Sequence, residues 1–334
     1  MSAGRSPENT VVAVVGAGAW GRNHVRTLHA MGSLGGVVEA SPPLRERLKA
    51  EYPGLAIWSS MEMAFPHVQG VVIATPPASH ANLAGTALEA GLGVLVEKPM
   101  TLDASHAQEL VGIAAQAGRP LMVGHLLLYQ PAIQELKRQL AAGVVGQVLR
   151  IDQERLNHGR VREHEDVLWS LGPHDVAVLC HLMGEVPATV AATGARFLGS
   201  GLLDDVHLEL GFSGGRSAHI HLAWYWPEKR RGLRVLGDRG MLVHDEADQS
   251  LTLHRKHLRG GTGPDRLAPE DDGSSRVHLG QGEALRLEDQ HFLDCLRSNG
   301  RPLSDGQSGV DVIRVLERAD ALLRPDSIFC KENS

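Results

Sequence analysis

Apolar and polar positions follow one pattern as far as about Leu128 and a different pattern beyond it. In the first part, short apolar runs alternate with stretches of helical periodicity. The runs are residues 11–15, 36–39, 70–74, 94–96 and 121–123. Strands that are apolar on both faces and alternate with helices predict a parallel sheet with right-handed crossovers.

In the second part, strands of alternating apolar and polar residues follow one another with little helix between them, which is typical of an antiparallel sheet. Residues 259–282 are rich in Gly, Asp, Ser and Pro, which predicts a mobile surface loop. The fold class is therefore α/β, with a parallel-sheet domain at residues 1–126 and an α+β domain at residues 127–334. The large, mainly antiparallel sheet of the second domain is expected to be open or partner-covered on one face. Its strands are predicted at residues 148–155, 190–197, 206–212, 217–225, 233–236, 241–244 and 251–254, with helices at 132–142, 167–183, 285–298 and 309–323.

Composition limits the partners of this 334-residue chain. A net charge of -6 and the absence of a long basic block argue against nucleic acid binding. The apolar runs are too short to cross a membrane, so we expect no membrane association. Three widely spaced cysteines and an N-terminus without a signal-peptide pattern favour the cytoplasm.

A dinucleotide-binding motif follows the first predicted strand. Gly16 allows a tight turn, Gly18 lets the backbone approach a pyrophosphate, and Gly21 permits close packing of the helix that begins there. Ala19 and Trp20 lie in the same loop and are predicted to contact the cofactor. The alternative is a glycine turn in some other α/β protein. The motif predicts that the first domain is a Rossmann domain.

Glu39 ends the second predicted strand, 39 − 16 = 23 residues after Gly16. A carboxylate at about this spacing binds the ribose 2′-hydroxyl of NAD, and it repels the 2′-phosphate of NADP. The sequence therefore favours NAD as the cofactor, although Ser41 and Arg45 leave NADP open.

The third predicted strand runs into Ala-Thr75-Pro76-Pro-Ala-Ser79-His80. Thr75 and Pro76 would form a rigid wall beside the nicotinamide ribose, and His80 is assigned to the cofactor site with them. The alternative is a proline-rich turn before a helix, with Ser79 as its N-cap.

The fourth predicted strand runs directly into Glu97, Lys98 and Pro99. Open α/β sheets bind their ligands at the carboxyl ends of such strands. Oxidation of an alcohol by nicotinamide needs a base for the hydroxyl proton, and Lys98 is placed for this task. Burial beside a positive nicotinamide should lower the Lys98 pKa. Glu97 is predicted to orient Lys98, and both residues are predicted to contact the cofactor. The alternative is an ion pair at a strand end.

These three motifs together resemble the glucose-fructose oxidoreductase / inositol dehydrogenase (Gfo/Idh/MocA) family. The resemblance extends from Val11 to about Leu323. Further segments are similar to the bacterial and archaeal UDP-N-acetyl-sugar 3-dehydrogenases of this family. They are residues 18–24, 123–131, 155–157, 167–169, 172–175 and 226–237.

The resemblance implies a Rossmann domain followed by an open-sheet domain, with the active site between them. It also implies a homo-oligomer, either a dimer or a tetramer formed through the open sheets. The implied reaction is the NAD-dependent oxidation of the 3-hydroxyl of UDP-GlcNAc or its uronic acid. The alternatives are a 3-keto nucleotide-sugar reductase, a free-sugar or polyol dehydrogenase, and an NAD-binding protein impaired in catalysis.

By the same resemblance, His174 faces the substrate and shares acid–base work with Lys98. Many family members have Asp four residues before this histidine, where this chain has Ser170. A serine can hydrogen-bond a sugar hydroxyl or His174, but it supplies no negative charge. The departure indicates a changed substrate, a reductase direction or lost activity, and the presence of Lys98 and His174 favours activity.

Four further residues lie in segments that resemble those shaping the sugar pocket: Tyr129, Asn157, Arg160 and Arg162. Either arginine could pair with a diphosphate or a uronate carboxylate. The alternative is a solvated loop whose own acidic residues neutralise both arginines.

His219 and His221 occupy alternate positions of a predicted strand and therefore share one face. The neighbouring sequence offers no matching cysteine or acidic cluster. We therefore favour a polar sheet face or an oligomer interface over a metal site, and predict no metal cofactor.

Overall fold

The computed structural model describes residues 10–159, 162, 165–199, 201–260 and 267–324. Internal contacts divide the chain into two compact units. The first consists of the residues up to Tyr129 together with Glu283–Ile313, and the second of Gln130–Gly282 with the residues from Arg314 on. The domain boundary between residues 126 and 127, which we placed from the sequence, stays a prediction. Within the described residues, no helix combines the length and the apolar character needed to span a bilayer.

The first unit contains a six-stranded, wholly parallel sheet with the strand order β3-β2-β1-β4-β5-β6. Its central strands are apolar on both faces and fully buried, as the sequence pattern predicted. The strands are β1 Val12–Val15, β2 Leu34–Val38, β3 Ala56–Trp58, β4 Gly70–Ile73, β5 Gly93–Glu97 and β6 Leu121–Gly124. The helices of this unit are α1 Gly21–Ala30, α2 Pro42–Glu51, α3 His80–Glu89, α4 Ala104–Ala117 and α7 Ala284–Ser298.

Strand order reverses between β1 and β4, which are neighbours in the sheet. The chain leaves β1 in one direction along the sheet and leaves β4 in the other, so a crevice opens beyond their carboxyl ends. Both predicted cofactor loops, the glycine loop after β1 and the Thr75 loop after β4, lie at this reversal.

The second unit contains an eight-stranded sheet with the order β14-β13-β12-β11-β7-β10-β9-β8. All neighbours are antiparallel except β7 and β10. The strands are β7 Val148–His158, β8 Thr189–Ala195, β9 Asp205–Gly211, β10 Ser217–Ala223, β11 Tyr225–Gly237, β12 Gly240–Asp245, β13 Ser250–Gly260 and β14 Leu267–Arg276. Helices α5 Pro131–Ala141 and α6 Val167–Met183 also belong to it, and α8 Gly306–Leu323 ends the described chain.

Helix α6 covers one face of this sheet and packs on β7, β9 and β10. Along β9, the residues Val206, Leu208 and Leu210 are almost fully buried, whereas the alternate positions are partly exposed. This period of two shows a sheet with an apolar inner face and a polar outer face. The mainly antiparallel sheet predicted from the sequence is thereby confirmed.

Two strand assignments were missed in the sequence. Residues 267–276 form β14 at the sheet edge, where the sequence pattern predicted a loop, and residues 56–58 form β3 at the edge of the first sheet. Segment 267–276 contains Pro269 and Gly273, which are poor strand formers. Backbone pairing with β13 overrides this local preference, and an edge strand tolerates proline because only one of its sides needs hydrogen bonds.

A buried ion pair joins β7 to α6. Arg155 donates from Nε to Asp175 Oδ2 at 2.9 Å and from Nη2 to Asp175 Oδ1 at 2.9 Å. Gln153 donates to the same carboxylate. Asp175 is fully buried and Arg155 is 7% exposed. Burial raises the pKa of Asp175, and the charge and hydrogen bonds of Arg155 oppose that rise.

Arg155→Met should destabilise the protein by about 3–5 kcal/mol, because it leaves the Asp175 charge buried without its partner. The matched control is Arg150→Met, which removes partly exposed ion pairs with Asp152 on the same strand and with Glu209, and should cost about 1 kcal/mol or less. Urea unfolding of both variants measures the difference. Equal losses of unfolding free energy in the two variants would show that the buried Arg155–Asp175 pair contributes no more to stability than the partly exposed pairs of Arg150.

Candidate active site

The glycine loop has the shape that a bound dinucleotide requires. Gly16 has a φ of 88°, and a Cβ there would lie 2.8 Å from Thr75 Cγ2. A Cβ on Gly21 would lie 2.0 Å from the Gly16 carbonyl oxygen, so α1 begins directly against the turn. A Cβ on Gly18, in contrast, meets nothing within 4 Å. The loop therefore leaves open space over Gly18, beside exposed Ala19 and Trp20, where a pyrophosphate fits.

Glu39 lies just after β2 and turns towards the glycine loop. Its Oε2 accepts from the Ala17 N–H at 2.9 Å, and its Oε1 accepts from the Ser41 N–H at 2.8 Å. Each carboxylate oxygen has further acceptor capacity. Glu39 is thus fixed next to the loop in an orientation compatible with the predicted ribose contact.

His80 joins two loops at the carboxyl edge of the first sheet. Its Nδ1 lies 2.9 Å from the carbonyl oxygen of Pro99, and its Nε2 lies 2.8 Å from that of Thr75. The ring is 1% exposed. His80 therefore positions the Thr75 and Pro99 loops, while Pro76 is exposed and Thr75 Oγ1 lies 2.7 Å from Ser79 Oγ. Direct cofactor contact by His80 stays a prediction.

The Glu97 carboxylate is the centre of the site. Trp20 Nε1 donates to Glu97 Oε1 at 2.5 Å, and His24 Nε2 donates to the same oxygen at 3.0 Å. The backbone N–H of Lys98 donates to Glu97 Oε2 at 3.2 Å. A Cβ on Gly124, in the neighbouring strand β6, would lie 3.0 Å from the carboxylate. One side chain thus connects the glycine loop, helix α1 and the backbone of the candidate base.

His24 is fully buried between two carboxylates, because its Nδ1 also lies 2.8 Å from Asp289 Oδ1. Burial alone would lower the His24 pKa, but the charges and hydrogen bonds of Asp289 and Glu97 outweigh it and raise that pKa well above its usual value. Burial likewise opposes ionisation of Glu97, yet His24 and Trp20 lower the Glu97 pKa overall. His24 is therefore an imidazolium that stabilises the Glu97 carboxylate.

Glu288 and His125 complete this interior, and both are neutral. Burial, with the nearby Glu97 charge, raises the pKa of Glu288 well above its usual value. Burial lowers the pKa of His125 to about 4, and Lys98 adds to that lowering. No hydrogen-bond partner within the described residues reaches either ring nitrogen of His125 or either carboxyl oxygen of Glu288. His125 directly follows β6, at the sheet edge beside Lys98.

His24, Glu97 and Glu288 each place one potential metal-ligand atom within 4.8 Å of the others. The facing His24 nitrogen and Glu97 oxygen, however, already bond each other. The other His24 nitrogen faces Asp289, and Glu288 keeps its proton, so these residues offer no free set of ligand atoms to an ion.

The other predicted site residues lie mostly in the second unit. His174 is partly exposed in the middle of α6, and Ser170, one turn earlier, is 2% exposed. Asn157 is partly exposed near the end of β7. Arg162 pairs with Glu165, as the solvated-loop alternative expects, and Arg160 lies outside the described residues.

Tyr129 ends the first unit and is 5% exposed, with its hydroxyl 3.3 Å from Ser304 Oγ. Its observed role is packing, and substrate contact by Tyr129 stays a prediction, as it does for the pocket residues of the second unit.

The structure adds His24, His125, Glu288 and Asp289 to the residues predicted from sequence. His125 could have been found by applying the rule of carboxyl strand ends to β6 as well as to β5. Asp289 could not, since 265 residues separate it from His24 and no local pattern connects them.

The pKa values of the two buried histidines, His24 and His125, should be shifted in opposite directions. We expect the His24 pKa to lie well above that of a free imidazole, and His125 to remain neutral down to about pH 5. NMR spectra of protein labelled at the histidine rings would show this, with His24→Gln and His125→Gln assigning the signals. A His24 signal that titrates below pH 6.5 would contradict the ion-pair assignment.

The stability consequence has a definite sign. Because the folded pKa of His24 is raised, its contribution is complete below an unfolded pKa of about 6.5 and is lost as the pH rises through the folded value. Because the folded pKa of Glu97 is lowered, its contribution is present above an unfolded pKa of about 4.3 and is lost as the pH falls.

Comparison with known proteins identifies the family. Residues 10–125 match the family described as oxidoreductases with an NAD-binding Rossmann fold, and residues 133–243 match the GFO/IDH/MocA C-terminal domain. The chain is 29% identical to UDP-N-acetylglucosamine 3-dehydrogenase of Acidithiobacillus ferrooxidans, across 90% of this chain and 93% of that protein. A solved structure of that dehydrogenase has a TM-score of 0.82 at 26% identity and covers 94% of this chain and 98% of its own.

An inositol 2-dehydrogenase of Rhizobium meliloti is 25% identical across 93% of this chain and 95% of its own length. The two matched domain models agree with the two sheets of the structure, one parallel and one mainly antiparallel. The chain belongs to the GFO/IDH/MocA family of NAD-binding oxidoreductases.

Proposed function

We propose that this oxidoreductase removes a hydride from C3 of a UDP-N-acetylhexosamine, UDP-GlcNAc or its uronic acid, with NAD as the acceptor. The observation that carries the chemistry is the Glu97 carboxylate, which holds both Trp20 of the glycine loop and the backbone of Lys98. The choice of sugar is supported by the 29% identity to UDP-N-acetylglucosamine 3-dehydrogenase over most of both chains.

The open space over Gly18 and the fixed Glu39 are the features that fit NAD. NAD, when bound, would supply the acceptor for the hydride of the carbinol carbon. Lys98 takes the proton of the 3-hydroxyl as general base, and His174 shares this proton transfer. Glu97 holds the Lys98 backbone in place, and His24 keeps Glu97 ionised. NAD is proposed over NADP because the Glu39 carboxylate would repel a 2′-phosphate.

Two features support other substrates or roles. The inositol 2-dehydrogenase relative supports a polyol substrate. Ser170, buried one turn before His174, supports a reductase direction or binding without turnover, since it offers no charge to an imidazolium. Assembly into a homo-oligomer and a cytoplasmic location stay predictions from the sequence.

Product analysis by mass spectrometry tests the reaction. The protein is incubated with NAD, 2-oxoglutarate and a panel of UDP-GlcNAc, its uronic acid, UDP-glucose and myo-inositol. We expect one UDP-N-acetyl sugar to lose two hydrogens, and Lys98→Ala to lower its turnover by about 10²–10⁴-fold. The matched control is Lys49→Ala, an exposed lysine of α2 that pairs with Glu46 and should leave turnover unchanged.

Oxidation of myo-inositol alone would replace the proposed substrate with a polyol. Bound NAD without oxidation of any compound in the panel would overturn the proposal in favour of a reductase or a binding role.

Gly18→Val should weaken NAD binding at least tenfold, a loss of about 1.4 kcal/mol or more, because the added side chain fills the space over the loop. Gly112→Val is the control, since a Cβ on this exposed glycine of α4 also meets nothing within 4 Å. Calorimetric titration with NAD measures both. Equal binding by the two variants would show that the pyrophosphate lies elsewhere.

A further inference from the structure

Three side chains converge on the outer face of the second sheet, at strands β9 and β10. His207 and His221 lie directly opposite each other in the antiparallel register, and Asp205 precedes His207 by two residues. Alternate positions of a strand share a face, and opposite positions of paired strands are neighbours. One nitrogen or oxygen atom from each of the three lies within 4.8 Å of the others.

Both histidine rings direct Nε2 at one carboxylate. His221 Nε2 lies 3.1 Å from Asp205 Oδ2, and His207 Nε2 lies 3.3 Å from Asp205 Oδ1. The two rings stack with centroids 3.8 Å apart. Ligand atoms of a tetrahedral zinc site lie about 3.3 Å apart, given metal–ligand bonds of about 2.0–2.1 Å. The observed separations from the carboxylate are therefore close to those of a metal site.

A second set of contacts lies behind His207. Its Nδ1 is 3.4 Å from His219 Nε2, and His219 Nδ1 is 3.0 Å from Glu209 Oε1. Metal-bound histidines commonly use their other ring nitrogen in such a chain, which fixes the tautomer. Glu209 also accepts from Arg150 Nη2 at 3.3 Å, so the end of the chain is itself held.

The number of N–H groups on the two histidines limits how this series of contacts can be formed. Two contacts of the chain Asp205–His207–His219–Glu209 are hydrogen bonds, one between the two histidines and one from His219 to Glu209. Two neutral imidazoles supply one N–H each, which satisfies both bonds and leaves none for the 3.3 Å approach of His207 Nε2 to Asp205 Oδ1. A cation, either a proton or a metal ion, is therefore needed between these two atoms. If His219 donates to Glu209 and His207 donates to His219, the His207 Nε2 lone pair faces the Asp205 carboxylate, which is where a metal ion binds.

We propose that Asp205, His207 and His221 bind one divalent transition-metal ion, with Zn²⁺ the best match to two imidazoles and one carboxylate. Three protein ligands leave a fourth position for water. His207 is the point of entry, since its side chain is 41% exposed while those of Asp205 and His221 are 13% and 11% exposed. From the sequence we predicted a polar sheet face or an oligomer interface at His219 and His221, and no metal. In the structure His219 lies behind the site, and Asp205 and His207 are the partners of His221.

Calorimetric titration of the full-length, EDTA-treated and dialysed protein with ZnCl₂ tests the site. We expect one equivalent to bind tightly, and Asp205→Asn or His207→Gln to weaken that binding at least tenfold. The control is His257→Gln, which removes a histidine paired with Glu270 at 3.2 Å on β13 and β14 and should leave the tight equivalent intact.

Co²⁺ titrated in place of Zn²⁺ gives a second reading, because its visible absorption reports coordination directly. NAD binding and the circular dichroism of each variant would show that it is folded. Absence of a stoichiometric equivalent in the parent protein, or its persistence in both Asp205→Asn and His207→Gln, would overturn the proposal. Loss of the equivalent and of the Co²⁺ band in folded variants would establish the site.

Discussion

The candidate active site depends on keeping one buried carboxylate charged. Glu97 is 7% exposed, and an isolated charge at such a position is costly. Its ionisation is maintained by an imidazolium, an indole N–H and the backbone N–H of Lys98. Each partner belongs to a different part of the unit: helix α1, the glycine loop and the strand end that carries the lysine. The electrostatic requirement thus also constrains geometry, because moving any of these elements would remove one of the three groups that stabilise the charge.

The groups around Glu97 divide into charged and neutral members by their partners. His24 has a carboxylate at each nitrogen and stays protonated, whereas His125, with no hydrogen-bond partner within the described residues, is kept neutral by burial and by the nearby Lys98 charge. Glu288 keeps its proton because burial raises its pKa, and the nearby Glu97 charge adds to that rise. The interior beneath Lys98 therefore holds few net charges despite its many ionisable groups, and this limits the desolvation cost of the cluster.

Local patterns were sufficient for the parts of the protein built from local interactions. The alternating strands and helices, the glycine loop and the lysine at a strand end are each visible within about 20 residues, and the structure confirms the fold they predicted. The acidic end of the His24 network comes from α7, which no periodicity connects to α1. Strand β14 forms by pairing with β13 against its own composition. What the sequence missed are thus long-range contacts, whose energy depends on the assembled fold.

The proposed division of work between Lys98 and His174 follows from what surrounds them. Ser170 lies one helical turn before His174 on the same face of α6 and brings no charge. Asp175, next in sequence, has both carboxylate oxygens engaged by Arg155. Neither neighbour therefore stabilises an imidazolium at His174 in the way that a carboxylate would. Lys98, by contrast, has its backbone N–H held by the ionised Glu97 carboxylate. In the proposed reaction the lysine is thus the main proton acceptor, and His174 shares the transfer.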